Sequence, residues 1–182
     1  MAYQGSLDGL CGPYAIVNAY DRCGVEEDWL GQDIFNIACL AVDRWPNILW
    51  EGTSFRQLRT MLATCQKELK KAYKKAGQEL PIAVEYPFLG KKAPKTNREY
   101  WRRFEDLFSC DEIVCGILGM EHPHEHWIAF ENGRKKLSLF DSDAEGGRWR
   151  IAKEDTHAGT RPRKKYLLNR RELVVFCSTG IG

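Results

Sequence analysis

No apolar run in this 182-residue chain approaches the ~18 residues that a membrane span needs, so a soluble protein is expected. Met1-Ala2-Tyr3-Gln4 lacks the basic start and apolar stretch of a secretory signal, which points to a cytoplasmic location. Internal repeats and low-complexity tracts are missing, which excludes solenoids and scaffolding tails. Neither sign of charge dominates, with 27 Lys+Arg against 25 Asp+Glu and a net charge of +2. No Cys-x-x-Cys spacing occurs among the seven cysteines, and their odd number gives no paired framework, so a reducing compartment is expected. Buried packing is the expectation for Cys23, Cys39, Cys65, Cys115 and Cys177, and partial exposure for Cys110.

What is present suits one catalytic-sized domain spanning 1–182. Hydrophobic residues make up 43% of the chain and aromatics 12%, enough to enclose a single sizeable core. A helix opened by Cys11 should end near Gly24. A second has an acidic first turn at Glu26-Glu27-Asp28 and a stripe of Trp29, Ile34, Ile37 and Ala41. A third starts at Thr53-Ser54 and carries Phe55, Leu58, Leu62 and Leu69. Pro81 to Tyr86 reads as a strand, Asn97 to Phe108 as a helix, and the segments from Ile113 to Phe176 mainly as strands. Helices first and sheet later is an α+β plan.

The chemistry starts at Gln4-Gly5-Ser6-Leu7-Asp8-Gly9-Leu10-Cys11-Gly12-Pro13, where a turn-rich stretch runs into an apolar segment. Unpaired N–H groups at a helix start favour a thiolate, so a cysteine placed there suits a nucleophile. Far downstream, His126-Trp127-Ile128-Ala129-Phe130 alternates as a half-buried strand, Glu131-Asn132-Gly133-Arg134 is a turn, and Leu137 to Ser142 returns. A hairpin of that length brings His126 beside Asp141, as a base and its orienting group require. Asp143, two residues on, is a rival to Asp141.

Cys11, His126 and Asp141, with Gln-Gly upstream of the cysteine, resemble the layout of the papain-like cysteine peptidases. The small size and the Cys11-Gly12 pair are most similar to bacterial double-glycine, bacteriocin-processing peptidases. Leu10 stands where that subfamily usually has Asp, and Asp8 lies three residues before the nucleophile. The resemblance implies a helical layer whose central helix carries the nucleophile against a C-terminal antiparallel sheet. It also implies Cys11 as nucleophile, His126 as base, Asp141 as its orienter and Gln4 as an oxyanion donor. Trp127 and Gly12, beside base and nucleophile, are the expected substrate contacts, and Trp127 is a candidate shield for the His126–Asp141 hydrogen bond. No cofactor and no metal are expected. The substrate would be a protein or peptide, cut after Gly-Gly or another small pair. Deamidation and transglutaminase-type acyl transfer use the same triad and stay open.

Two other readings compete. His122, His124 and His126 alternate along Glu121-His122-Pro123-His124-Glu125-His126 and invite zinc, although Pro123 interrupts the strand and no fourth ligand is signalled. Basic clusters at Lys67 to Lys75, Lys91 to Arg103 and Arg161 to Lys165, with Tyr100, Trp101 and Tyr166 nearby, would suit a nucleic-acid-binding module. Neither a pro-segment nor a membrane portion is visible beside the catalytic motif. Restraint is therefore expected from narrow specificity or from a separate inhibitor, as in bacterial effector toxins with immunity proteins.

Overall fold

The computed structural model describes residues 9–25, 31–42, 47–143, 147–161 and 163–180. Its helices are α1 (Cys11–Arg22), α2 (Gly31–Leu40), the single turn α3 (Ile48–Glu51), α4 (Phe55–Lys75) and α5 (Asn97–Phe108). The strands are β1 (Ile82–Glu85), β2 (Ile113–His122), β3 (His126–Asn132), β4 (Lys136–Phe140), β5 (Arg148–Ala152), β6 (Thr156–Ala158) and β7 (Tyr166–Ser178). The α+β plan therefore holds.

The caps explain the boundaries. Gly24 takes a φ of +62° just past α1, a left-handed conformation that glycine adopts without a Cβ penalty. Ser54 and Gln57 form a reciprocal capping box at the start of α4, and the Thr96 side chain accepts the Glu99 N–H at the start of α5.

The strands run in the order β1-β7-β2-β3-β4-β5, with β6 beside β7. Neighbours are antiparallel except β6, which runs parallel to β7, so the sheet is mixed rather than wholly antiparallel. Alternation sends Cys115, Ile117, Ala129, Val174 and Phe176 to one face, where they join α1, α2 and α4 in a single core. Leu118, Ile128, Phe130, Leu173 and Val175 take the other face and pack on Tyr100 and Phe104 of α5. The sheet is thus covered on both faces. α5 departs from the expected two-layer plan because its Tyr100 and Phe104 need an apolar partner, and the second face of β2, β3 and β7 supplies it.

α1 is buried almost throughout, from Cys11 to Tyr20 apart from Tyr14. Ile16, Ala19 and Tyr20 are fully covered. Each large apolar side chain buried this way stabilises by about 1.5–3 kcal/mol, so α1 is anchored by its packing more than by helix propensity. The nucleophile candidate consequently sits on a rigid element.

Candidate active site

The hairpin β3–β4 brings the downstream residues together. Ala129 pairs with Phe140 and Phe130 with Leu139, and the strands part toward His126 and Asp141. His126 Nε2 meets Asp141 Oδ1 at 2.7 Å, with both side chains buried. Asp141, not its rival Asp143, makes the contact with the ring. The Asp143 backbone N–H donates to the same Asp141 oxygen at 3.0 Å.

Cys11 opens α1 and is 7% exposed. Its thiol points toward the Gly9 carbonyl at 4.0 Å. It also lies close enough to His126 for its hydrogen bond and charge to act on the ring. Since Nε2 is engaged by Asp141, Nδ1 is the nitrogen left for Cys11. Burial of the imidazole works against its charge, but the hydrogen bonds and charges of Asp141 and Cys11 outweigh it and raise His126 to about 10. Burial likewise pushes the Asp141 carboxyl up. His126, the Asp143 N–H and the Trp149 indole together hold it below the usual carboxylate range. The arrangement favours an imidazolium beside an ionised carboxylate.

These groups open onto a cleft of about 1080 Å³. Cys11, His126 and Trp127 line it together with Glu121, Glu125 and Glu172. Glu172 is raised to about 7 by burial and by the like charges of Glu121 and Glu125.

Several expected roles change. Trp127 does line the cleft, but its indole N–H donates to the Thr53 carbonyl and its ring stacks on Phe55 with centroids 5.7 Å apart. The indole hydrogen-bonded to the His126–Asp141 pair is that of Trp149, which donates to Asp141 Oδ2 at 3.2 Å. Gly12 is covered by Thr53: an added Cβ would lie 2.6 Å from Thr53 Cγ2 and Oγ1. Its small size serves that close approach, and it does not face the cleft. Gln4, Asp8 and the Glu26 to Trp29 segment lie outside the described residues.

Trp149 was missed because nothing local marks it. It lies on β5, and only the register Phe140–Arg148, continued by the Asp141 N–H donating to the Gly147 carbonyl at 2.9 Å, sets it diagonally across from Asp141.

The histidine run divides. His122 ends β2 opposite Leu167, His124 is an exposed residue of the cleft rim, and His126 is committed to Asp141. Among the described residues no group of three or more His, Cys, Asp or Glu is arranged to hold a metal ion. Of the aromatics proposed to stack on bases, Tyr100 is 1% and Tyr166 8% exposed, so neither offers a free ring face. Among the described residues no helix is long and apolar enough to cross a membrane.

No family model matches the chain, and no curated protein or solved structure matches it at a significant level.

Proposed function

We propose that this chain is a cysteine-nucleophile hydrolase of papain-like layout acting on peptide bonds, with Cys11, His126 and Asp141 as its triad. The observation that carries the reading is the 2.7 Å contact between His126 Nε2 and Asp141 Oδ1, made while the thiol at the start of a buried helix lies against the same ring.

In this scheme His126 Nδ1 holds the Cys11 proton and the sulfur attacks the substrate carbonyl, forming a C–S bond as the C=O electrons move onto oxygen. The positive end of α1 would stabilise that charge, and no acidic side chain in its first turn offsets it. Collapse expels the amine, which leaves with the His126 proton. Water, deprotonated by His126, then cleaves the thioester and restores the thiol. Asp141 keeps the ring turned toward Cys11 throughout. Gln4 is the proposed side-chain donor to the oxyanion.

A deamidase or transglutaminase differs only in what leaves and what attacks the acyl-enzyme. Two measurements separate the cases. An active-site-directed thiol reagent should label Cys11 and fail to label it in His126→Ala. Peptide mapping of a proteome treated with wild type and with Cys11→Ala should then show cuts specific to wild type. Mass shifts of about one dalton without cuts would reassign the chemistry to deamidation, and equal labelling of Cys11 in both proteins would remove the triad.

A further inference from the structure

We infer that Trp149 is a positioning residue for this site: its indole N–H fixes the rotation of the Asp141 carboxylate and thereby sets the charge state and orientation of His126. The inference rests on the triad reading above.

The Asp141 carboxylate has two oxygens with separate partners. Oδ1 takes His126 Nε2 at 2.7 Å and the Asp143 N–H at 3.0 Å. Oδ2 takes the Trp149 indole N–H at 3.2 Å. A carboxylate held at Oδ1 alone remains free to turn about its Cβ–Cγ bond, because such terminal torsions are broad. A donor on Oδ2 removes that freedom. The indole is well suited to the task, having one N–H and no acceptor, so it hydrogen-bonds the ionised carboxylate and gives nothing back.

Trp149 is itself held at both ends. Its backbone pairs with Leu139 in the β4–β5 ladder, and its ring packs against Tyr166 of β7 with centroids 5.6 Å apart. It also abuts the core cluster beneath α5. The indole is therefore directed by the sheet rather than by Asp141. Its bond to Oδ2 is one of the contacts that hold the Asp141 carboxyl low, and a low carboxyl keeps the neighbouring imidazole charged.

The test replaces the N–H while keeping the ring. Trp149 is exchanged for 3-benzothienylalanine, in which sulfur stands where the indole N–H was, and in parallel for phenylalanine (Trp149→Phe). The His126 titration is followed by NMR, with its signal assigned by loss in His126→Gln. Both variants should lower the His126 midpoint by about one pH unit, the scale of one hydrogen bond to a charged group, and should weaken the downfield His126 Nε2–H signal. In an Asp141→Ala background the benzothienyl exchange should change neither. An unchanged midpoint in the benzothienyl protein, or an equal shift without Asp141, would reduce Trp149 to packing. Because the titration needs no turnover, the two ideas fail separately. Wild-type Cys11 alkylating no faster than the exposed Cys110 would sink the nucleophile while leaving the Trp149–Asp141–His126 linkage measured.

Discussion

Trp127 reaches from β3 to the segment that leads into α4, donating its indole N–H to the Thr53 carbonyl. Thr53 in turn lies against Gly12, where an added Cβ would come within 2.6 Å of its side chain. The strand carrying His126 and the helix carrying Cys11 are thus tied through one residue of the cleft wall.

That tie makes Gly12→Ala costly. Thr53 is β-branched and short, so it yields little, and forcing a methyl into such a contact costs about 1–3 kcal/mol. Urea denaturation should show this loss. The double variant with Thr53→Gly should recover part of it, because the clashing atoms are gone.

Stability should also follow the charges of His126 and Asp141. The imidazole pKa is raised from 6.5 to about 10 on folding, so its contribution is complete below about pH 6.5 and fades as pH rises through about 10. The carboxyl of Asp141 is lowered from 3.8, so its contribution is complete above that value and fades as pH falls through the depressed folded pKa. Together they give a plateau between about pH 4 and 6.5. Denaturation of the paired variant His126→Gln with Asp141→Asn across pH should show this pH dependence flattened relative to wild type on both sides.

Glu172 behaves in the opposite sense to Asp141. Its carboxyl is raised from 4.5 to about 7, so folding favours its neutral form, and stability is lost as pH climbs through about 7. Glu172→Gln should match wild type near pH 4 and exceed it at pH 9 in thermal melts. Equal melts at pH 9 would show that Glu172 is relieved by solvent.

Phe104 is the keystone of the core under α5, fully buried and stacked on Tyr100, Phe108 and Phe130. Phe104→Ala should cost about 3–5 kcal/mol. Thiol labelling of Cys11 should survive where the variant remains folded, since α1 packs on the opposite face of the sheet.

The elements readable in advance were those whose signals are local. Asn97 to Phe108 is a helix over the expected residues because Thr96 caps it, and α4 begins after Ser54 because Gln57 completes the box. The His126–Asp141 pair was readable because a hairpin turns fifteen residues of sequence into a 2.7 Å contact. Trp149 and Thr53 were not. Each acts through the placement of separate elements, β5 on β4 and α4 on α1, which no short window of residues encodes. α3 also escaped notice, being a single turn too short to show a periodic pattern. Tyr100 shows the converse: its neighbours in sequence suggested base stacking, but burial decided otherwise.

β7 lies between β1 and β2, although it follows all the other described strands in sequence. A chain emerging from the ribosome presents Cys11 early and completes the His126–Asp141 hairpin later, yet the strand that joins β1 to β2 is missing until Tyr166–Ser178 is released. Until β7 is added, β1 has no strand to pair with and one edge of β2 stays bare, so the growing sheet carries open edges that this one segment closes together.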